Sequence, residues 1–482
     1  MATALKDLYS RLANIYTAIN PPVVSKAVAG KDGAATQPLR MGILGAANIA
    51  PLAVISPAKS HPDIIVSGVA ARSKAKATAF AKKYGIPHVF DSYDALINDP
   101  GIDVVYNPLP NGLHKEWTLK CIAAKKHVLL EKPSTSNEAE AKELFAAAKA
   151  ANVLVLEAFH YRFHPALHEF AYHLHDLMTG TNPMMDCAAH LVAPAGIIKE
   201  DDIRFNWKLA GGSLMDMGCY STSAVLYTMR AAAGTWQRAN WQERIEVQEA
   251  RPTYFTPTSA DLRDRQKVHL TDDQSPGIDT AMSATVLVPT PRDVKLPCKV
   301  ESSLAETAFT LPILGWRVPS LWRSTPTLKA SFKDGSTAEL QNFVAPFLWH
   351  SIKVTYRGKS AQAHNLADGT TKYFKAYIPG ATSGTEQMRR AAKDGHWPQG
   401  TGQPWWTTYR WQLEAFVRGV RAVQAGTPGH EVGPIDFINQ DRSTDTPRVP
   451  VWVHNEESVI IMQTLDAIYE KSGLGKRPSK NA

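Results

Sequence analysis

Residues 39–50 read LRMGILGAANIA, a short apolar stretch that runs into a turn of small residues. The stretch Met41–Leu44 predicts a β-strand, and Ile49–Ala58 predicts the helix that follows it. In dinucleotide-binding proteins such a turn reads G-x-G-x-x-G/A, because small residues let the backbone approach a pyrophosphate closely. The three small positions of this pattern hold Gly45, Ala47 and Ala50.

The surroundings of this turn favour a phosphate-binding role. Alanine at the middle position weakens the match, and any strand–turn–helix unit can carry small residues. The turn nevertheless lies where the N-terminus of a predicted helix can hold a phosphate. We predict that Gly45, Ala47, Asn48 and Ile49 bind the cofactor.

The chain up to about residue 160 continues this alternation of short apolar strands and helices. Further strands are predicted at Ile64–Ala70, His88–Phe90, Asp103–Tyr106, Val128–Leu130 and Val153–Leu156. Such alternation is typical of a parallel sheet covered on both faces. We therefore predict an α/β fold, with an N-terminal arm over residues 1–38 and a Rossmann dinucleotide-binding domain over residues 39–160.

Residues 161–482 lack that alternation and predict a second, α+β domain. Helices are predicted at Pro165–Met178, Leu214–Met229, Tyr409–Val423 and Glu457–Tyr469, and strands at Ile245–Ala250, Met282–Val288, Val300–Glu306, Leu328–Phe332 and Ile352–Tyr356. Strands without regular intervening helices indicate a largely antiparallel sheet. Two segments rich in Pro, Gly and polar residues, 251–278 and 376–405, are predicted to be loops or insertions.

Composition excludes several classes of protein. The chain has 482 residues, a net charge of +8 and only four cysteines, which lack metal-ligand spacing, so we predict neither a disulfide framework nor a metal site. The basic residues are spread along the chain, which argues against nucleic-acid binding and is compatible with a phosphate-bearing cofactor. No apolar stretch approaches the roughly 20 residues that span a bilayer. We predict a cytoplasmic protein with no membrane partner.

The end of the second strand favours NADP over NAD. NAD-binding sites commonly place a carboxylate there for the ribose 2′-hydroxyl, whereas a 2′-phosphate needs a cation. This chain has Arg72 and Ser73 at that place. Arg72 can bind a phosphate with two N–H groups and Ser73 can donate another hydrogen bond. The alternative is that Arg72 is a solvated loop residue.

Two later strand ends carry further candidate residues. Ligands of open α/β sheets bind outside the carboxyl ends of the strands. The string YNPLPNGLH over residues 106–114 follows the fourth strand, and the tripeptide EKP follows the fifth. We predict that the cofactor crevice is lined by Pro108, Asn111, His114, Glu131 and Lys132. For Asn111, the cap of a following helix is an equally good interpretation.

The string GGSLMDMGCY at residues 211–220 places Asp216 and Tyr220 four residues apart, on one face of a helix. Taken alone, this Tyr220 is more typical of a half-buried core residue than of a catalytic one.

Residues 40–235 resemble the glucose–fructose oxidoreductase/inositol dehydrogenase (Gfo/Idh/MocA) family. The resemblance rests on four strings in order, GILGAANIA, EKP, EAFHYRFHP and GGSLMDMGCY, and on DAIYEKSGLGKRP near the C-terminus. Within the family, the N-terminal arm with its two prolines is similar to the fungal NADP-dependent D-xylose dehydrogenases. The dimeric dihydrodiol dehydrogenases are similar too.

The resemblance implies a fold and a set of roles. The fold is a Rossmann domain followed by an open-faced mixed sheet whose back often forms a dimer interface, so we expect a homodimer. The EKP lysine, Lys132, lies beside the substrate hydroxyl and the nicotinamide. Tyr220 stands where many relatives have histidine, which makes it the acid/base, and Asp216 helps to hold the substrate. A nearby ammonium would lower the pKa of Tyr220 towards the range useful for a base.

Three further residues are candidates for the substrate crevice. Arg162 and Phe163 lie in the EAFHYRFHP string, although Arg162 is equally suited to pair with a carboxylate such as Glu157. Trp207 lies ahead of the second motif, where it is suited either to stack on a sugar or to pack in the core.

Together these features predict an NADP-dependent oxidoreductase that oxidises an aldose, D-xylose first, to its lactone. The enzymatic alternatives are a trans-dihydrodiol dehydrogenase and a carbonyl reductase. The alternative from another class is an NADPH-sensing regulator, for which the set Lys132, Asp216 and Tyr220 would have no use.

Overall fold

Two sheets organise the computed structural model of this chain. The structure describes residues 12–26, 28–29, 35–178, 182–233, 245–256, 277–290, 294–310, 317–319, 324–375, 402–432 and 452–479. Side chains are described for most of these residues. The fold class predicted from the sequence, a Rossmann sheet followed by a mostly antiparallel sheet, is confirmed.

The first sheet has six parallel strands within residues 39–157. They are β1 (Leu39–Leu44), β2 (Ile64–Ala70), β3 (His88–Phe90), β4 (Val104–Asn107), β5 (His127–Leu130) and β6 (Val155–Glu157). Their spatial order β3-β2-β1-β4-β5-β6 is that of dinucleotide-binding folds, in which the ligand crevice lies where the order reverses. The crevice is therefore expected beside the ends of β1 and β4, where the GAANIA and PLPNGLH turns begin.

Five helices flank this sheet, and side-chain caps open three of them. They are α1 (Ser56–Lys59), α2 (Lys74–Tyr84), α3 (Tyr93–Ile97), α4 (His114–Ala123) and α5 (Glu138–Ala151). The side chains of Ser73, Ser92 and Asn137 accept the backbone N–H groups that open α2, α3 and α5. Such caps satisfy donors that a helix leaves unpaired at its first turn.

The helix predicted at Ile49–Ala58 has a different geometry. Residues Pro51–Ile55 form a π-helix, which continues directly into α1. Pro57 has no backbone N–H to complete a regular turn, and the N–H of Ser56 bonds the carbonyl of Pro51, five residues earlier. The proline pair therefore widens the first helix next to the crevice.

The second sheet has nine strands among the described residues. They are β7 (Met184–Pro194), β8 (Glu246–Tyr254), β9 (Asp279–Pro289), β10 (Lys295–Thr310), β11 (Arg317–Pro319), β12 (Thr327–Phe332), β13 (Thr337–Gln341), β14 (Ser351–Tyr356) and β15 (Thr370–Phe374). The order is β8-β9-β10-β7-β12-β13-β14-β15, with β11 paired to β10. Every pair is antiparallel except β10 with β7.

One face of this sheet is buried and the other is partly open. Residues along β12, β13 and β14 alternate strictly between buried and part-exposed, which indicates one covered face. The helices after β6 are α6 (Pro165–Leu177), α7 (Cys219–Ala233), α8 (Gly358–Ala363), α9 (Thr408–Gln424) and α10 (Asn455–Lys471). Of these, α6, α7 and α10 contact the sheet. Dimerisation through the open face stays a prediction.

The sequence missed some strands and misplaced one boundary. The strands β7, β11, β13 and β15 were not predicted, and β8 continues to Tyr254, inside the segment 251–278 expected to be a loop. The remainder of that segment, at 257–276, and residues 376–401 of the other predicted insertion lie outside the described residues. In the predicted arm, residues 12–19 are helical and Val28–Ala29 pairs with Ala35–Thr36, while residues 1–11 lie outside the described part.

The helix α9 returns to the first sheet. Its Arg421 bonds both carboxylate oxygens of Asp63, just ahead of β2, and Arg410 donates to the hydroxyl of Ser60. The late helices therefore pack against the Rossmann sheet as well as the second one. Among the described residues, no helix is both long enough and apolar enough to cross a bilayer.

Candidate active site

Lys132 lies at the carboxyl end of β5 and contacts Asp216, which lies beyond the predicted Rossmann domain. Its side chain is 14% exposed. The Nζ atom lies 2.8 Å from Oδ1 of Asp216 and 2.9 Å from the backbone oxygen of the same residue. An ammonium group has three N–H donors. Two are directed at Asp216, which leaves the third for a substrate oxygen.

Asp216 binds a second cation that the sequence analysis did not single out. Its Oδ2 accepts a hydrogen bond from Nε of Arg204 at 2.6 Å. Burial by itself would raise the pKa of this carboxyl, but the charges of Lys132 and Arg204 outweigh burial and lower the pKa to about 2. Asp216 in turn outweighs the desolvation of Lys132 and raises the pKa of that amine. Both groups are therefore charged at neutral pH, and Lys132 serves as a cation and not as a base.

The backbone at Asp216 departs from the regular helix that was predicted. Residues Leu214–Gly218 form a π-helix, and Tyr220 follows as the second residue of α7. Such wide turns occur frequently at functional sites. Gly218 fits this turn because a Cβ there would lie 2.6 Å from a methyl group of Leu214. The carbonyl of Asp216 is left facing Lys132, which it binds together with the carboxylate.

Tyr220 is buried beside this ion pair, and its ring is 6% exposed. The centroid of the ring lies 4.9 Å from Nζ of Lys132 and 5.6 Å from the ring centroids of Phe159 and His160. Burial first, and then the neighbouring Tyr409 hydroxyl, raise the pKa of Tyr220 well above its ordinary range. The prediction that the pKa of Tyr220 is lowered is therefore wrong, because burial outweighs the nearby charge of Lys132.

The turn after β1 offers backbone donors to an anion. Gly45 has φ +93°, a conformation that L side chains rarely adopt, and a Cβ there would lie 3.3 Å from Leu109. Among the described residues, no backbone carbonyl accepts the N–H groups of residues 46–49. Asn48 is exposed, whereas Ala47 and Ile49 are half-buried. This small-residue turn with free N–H groups fits the pyrophosphate of a dinucleotide.

Arg72 and Ser73 follow β2 as predicted. Arg72 is exposed at the carboxyl edge of the first sheet. The Ser73 hydroxyl oxygen accepts the N–H of Lys76 at 3.3 Å and so caps α2. A hydroxyl that accepts in a cap still has its proton to donate. The Tyr93 hydroxyl lies 3.9 Å from the Cβ position of Gly45, beside the turn after β1.

Of the three candidate residues after β4, one is partly exposed and two bind backbone carbonyls of neighbouring loops. Pro108 is half-buried. Asn111 does not cap the following helix, because its amide donates to the carbonyl of Ala210 at 3.1 Å. His114 is completely buried, and its two ring nitrogens lie 2.9 Å and 2.6 Å from the carbonyl oxygens of Pro133 and Leu109. The structure leaves neither ring nitrogen for a cofactor, so the predicted cofactor contact of His114 is corrected to support of the Lys132–Pro133 loop.

His114 and Glu131 are both affected by burial. Burial lowers the pKa of His114 to about 4, although the two carbonyl contacts act in the opposite direction. Burial raises the pKa of Glu131. The Glu131 carboxylate accepts the hydroxyl of Tyr106 at 2.7 Å. Glu131, next to Lys132 in the chain, is thus bound to the neighbouring strand β4 through Tyr106.

The comparisons with known proteins agree with this geometry. Residues 39–159 match the Gfo/Idh/MocA profile, described as an oxidoreductase family with an NAD-binding Rossmann fold. The D-xylose 1-dehydrogenase (NADP(+)) 2 of Haloferax volcanii is 31% identical over 437 residues, which cover 91% of this chain and 98% of that protein. The chain belongs to this oxidoreductase family.

Other known proteins resemble shorter parts of the chain or its fold. The trans-1,2-dihydrobenzene-1,2-diol dehydrogenase of Xenopus laevis is 36% identical over 172 residues, 35% of this chain and 49% of that protein. The crystal structure of KijD10, a 3-ketoreductase from Actinomadura kijaniata in complex with NADP and TDP-benzene, has a TM-score of 0.60 at 20% identity. The superposition covers 90% of this chain and 98% of the KijD10 chain, and the likeness shows the fold.

Two of the predicted substrate residues lie in the core of this Gfo/Idh/MocA protein. The Arg162 side chain is fully buried and forms an ion pair with Glu457, so its carboxylate partner is not Glu157 as the sequence suggested. Its guanidinium also lies 4.4 Å from the ring centroid of Tyr227. Phe163 is fully buried and packs edge-on against Trp452. Neither side chain has a free surface, so the prediction that they contact substrate is corrected to a structural role.

Trp207 is half-buried, and one face of its ring already has a partner. The guanidinium carbon of Arg477 lies 4.4 Å from the centroid of the Trp207 ring. This contact supports the packing interpretation for that face. Stacking of a sugar on Trp207 stays a prediction.

Sequence reasoning assigned no role in the site to three side chains around Tyr220 and Asp216, namely Arg204, His160 and Tyr409. Arg204 lies in the first of two short 3₁₀ helices ahead of Asp216. Helices this short show no hydrophobic periodicity in the sequence, so the sequence does not indicate which way the Arg204 side chain points. His160 stacks on Tyr409 at a centroid distance of 4.0 Å, and both lie close to Tyr220. The EAFHYRFHP string contained His160, but the signal there favoured Arg162. Among the described residues, no group of three or more His, Cys, Asp or Glu side chains is placed to hold a metal ion.

Proposed function

We propose that this protein is an NADP-dependent dehydrogenase that oxidises an aldose, with D-xylose as the first candidate, to its lactone. The reaction transfers a hydride from C1 of the sugar to NADP⁺ and releases the proton of the anomeric hydroxyl. The observation that carries the proposal is the ion pair of Lys132 with Asp216 beside Tyr220. It lies at the carboxyl end of a Rossmann sheet, and a relative that matches nearly the whole chain is a D-xylose dehydrogenase.

The residues around the crevice fit a phosphorylated dinucleotide. The turn at Gly45 supplies free N–H groups for a pyrophosphate, and Arg72 supplies a cation where the 2′-phosphate would lie. Among the described residues, no Asp or Glu occupies positions 70–73, where NAD-specific sites place a carboxylate. When bound, NADP⁺ accepts the hydride. The preference for NADP over NAD therefore rests mainly on Arg72.

Lys132 and Tyr220 divide the work on the substrate oxygen. Asp216 holds Lys132 as an ammonium, whose third N–H is free to bind the hydroxyl that loses its proton. A fixed positive charge at this oxygen stabilises the negative charge that develops as the proton leaves. Tyr220 accepts that proton at its phenolic oxygen. Because Lys132 stays charged, the proton transfer falls to Tyr220.

The test is the initial rate of NADP⁺ reduction across a panel of aldoses, polyols and trans-dihydrodiols, with Tyr220→Phe alongside. Oxidation needs the deprotonated tyrosine, and the pKa of Tyr220 is raised. The deprotonated fraction grows about tenfold per pH unit below the pKa. We therefore expect the oxidation rate of the native chain to rise with pH from neutral into alkaline solution.

In Tyr220→Phe we expect a rate about 10²- to 10⁴-fold lower and independent of pH. The NADPH affinity of this variant should stay close to native, which serves as the folding control. A phenylalanine variant that keeps the native pH profile would remove Tyr220 from the mechanism. A native chain that binds NADPH and turns over no member of the panel would overturn the proposed activity.

The protonated state of Tyr220 also favours a second candidate, the reduction of a sugar ketone or another carbonyl. A tyrosine with a raised pKa is a ready proton donor at neutral pH, which reduction requires. The two directions respond oppositely to pH: NADPH-dependent reduction should slow above the pKa of Tyr220, whereas oxidation should accelerate. Parallel pH profiles with an aldose and with a ketosugar decide which substrate class has the higher kcat/KM.

A further inference from the structure

The 211–220 segment, which contains Asp216 and Tyr220, is held at its beginning by a residue from the C-terminal end of the chain. Arg477 lies after α10, and its side chain is fully buried. Its Nε donates to the carbonyl of Gly211 at 2.6 Å, and its Nη2 donates to Oδ1 of Asp279 at 2.6 Å. A charge buried this deeply is tolerated only when it is paired and hydrogen-bonded. Arg477 therefore fixes the chain one turn ahead of the π-helix.

Asp279, at the start of β9, extends this contact into the 211–220 segment. Its Oδ2 accepts the hydroxyl of Ser213 and the N–H of Leu214, both at 2.7 Å. Its Oδ1 also accepts the hydroxyl of Tyr469 at 3.0 Å. One carboxylate thus joins the first backbone N–H of the π-helix to Arg477. Asp279 is fully buried, so water does not compete for these bonds.

The guanidinium of Arg477 is also fixed in orientation. It lies between two aromatic rings, 4.4 Å from the centroid of Trp207 and 3.9 Å from that of Tyr469. Gly212 has φ +132°, and a Cβ there would lie 2.2 Å from Oδ1 of Asp279 and 2.6 Å from Nη2 of Arg477. The glycine is thus required for the segment to approach this pair so closely.

The same stretch of chain reaches the other side of the crevice. The carbonyl of Arg477 accepts the side-chain amide of Asn137 at 3.1 Å, and Ser479 accepts from the same amide at 3.2 Å. Asn137 caps α5 and follows Lys132 by five residues. The C-terminal end therefore contacts both chain segments that supply the Lys132–Asp216 pair.

We propose that Arg477, through Asp279, is a positioning residue that sets Asp216 and Tyr220 against Lys132 for the reaction. The proposal rests on the proposed function for its kinetic consequences, but not for its structural ones. Arg477 acts through the start of the π-helix and touches neither substrate nor cofactor. A displacement of the reacting groups by about 1 Å costs on the order of 10²-fold in rate.

The first variant is Arg477→Met, which keeps the length of the side chain and removes its charge and donors. We expect kcat to fall at least tenfold, while the KM for NADP⁺ and the affinity for NADPH stay within about threefold of native, because the cofactor turn at Gly45 is unaffected. Arg477→Lys keeps the charge but cannot form both hydrogen bonds of the guanidinium, to Gly211 and to Asp279, in the same geometry. We therefore expect its kcat to lie between those of the native chain and of Arg477→Met.

Arg421→Met serves as the matched control. It breaks another arginine–aspartate pair, with Asp63, that lies between α9 and the first sheet and contacts no part of the 211–220 segment. We expect lowered thermal stability in this control but native kcat. If Arg477→Met does not fold, Tyr469→Phe removes one hydrogen bond of the same network, the one to Oδ1 of Asp279, and takes its place.

Peptide-level hydrogen exchange separates this inference from the proposed activity. In Arg477→Met, amides of residues 211–220 should exchange faster than in the native chain, while those of β1 and its turn should not change. A folded Arg477→Met chain with native kcat and native exchange would overturn the proposal. If the native chain oxidises no sugar, the proposed function fails, and faster exchange confined to residues 211–220 still supports the positioning role.

Discussion

The two sides of the crevice are built in different ways. On the Rossmann side, the turn at Gly45 and the end of β2 are fixed by contacts between neighbouring strands, such as the N–H of Gly45 on the carbonyl of Ala70, and by caps a few residues away, such as Ser73 on the N–H of Lys76. On the other side, the 211–220 segment depends on Asp279 and on Arg477, the latter 266 residues from its contact at Gly211. A local change should therefore have local effects on the first side and distributed effects on the second.

Lys132 comes from the Rossmann side of the crevice and pairs with Asp216 on the other side. Its replacement is therefore expected to have the largest effect. Lys132→Met keeps the side-chain length and leaves Asp216 paired with Arg204 alone. We expect kcat to fall by about 10³-fold, because the charge that stabilises the developing oxyanion is removed. The measurement is single-turnover oxidation of the best aldose by the saturated NADP⁺ complex. A loss smaller than tenfold would contradict the assigned role.

The control for Lys132→Met is Lys125→Met. Lys125 lies just ahead of β5, and its exposed ammonium donates a hydrogen bond to the carbonyl of Ala151. The control should keep the native rate. NADPH binding should persist in both variants, since the phosphate-binding turn belongs to the Rossmann side.

The Rossmann side carries the choice of cofactor, which Arg72→Ala isolates. A hydrogen bond to a charged group is worth about 1.5–3 kcal/mol, so we expect KM for NADP⁺ to rise about 10- to 100-fold while KM for NAD⁺ hardly changes. The measurement is the ratio of kcat/KM with the two cofactors. Lys82→Ala, at the far end of α2, removes an equal charge and should leave the ratio as it was. Equal losses with both cofactors would show that Arg72 does not bind the 2′-phosphate.

The same contrast explains which parts of the structure the sequence predicts. The six parallel strands and the Lys132, Asp216 and Tyr220 strings are short-range signals, namely apolar runs, small-residue turns and contiguous motifs. Arg204, Asp279 and Arg477 carry no such signal, because each acquires its role from a partner brought near by the fold. The pKa of Tyr220 was predicted in the wrong direction for the same reason, since its burial and the Asp216–Lys132 pairing are both tertiary effects.

Composition explains why some strands were missed. The strand β7 reads MMDCAAHLVAP, in which alanines contribute little to β-propensity, and β13 reads TAELQ, whose Ala, Glu, Leu and Gln favour helices. Both are strands because they pair with neighbours on each side, β7 between β10 and β12 and β13 between β12 and β14. The register of neighbouring strands thus overrides the preference of the residues.

The smallest effect is expected for Ser73→Ala. Ser73 caps α2, and we predict that it also binds the 2′-phosphate, so this variant tests both roles on the Rossmann side. Loss of the cap on α2 should lower the free energy of unfolding by about 1 kcal/mol. Loss of the single hydrogen bond that the Ser73 hydroxyl would donate to the 2′-phosphate should raise KM for NADP⁺ by about tenfold, the lower end of the range for hydrogen bonds to charged groups. Ser73→Asp separates these roles: aspartate caps a helix well but repels a phosphate, so stability should recover while KM for NADP⁺ rises further. Stability is measured by urea unfolding of the cofactor-free chain, and KM by initial rates. An aspartate variant that keeps the native KM for NADP⁺ would show that Ser73 only caps the helix, and that Arg72 acts alone on the Rossmann side.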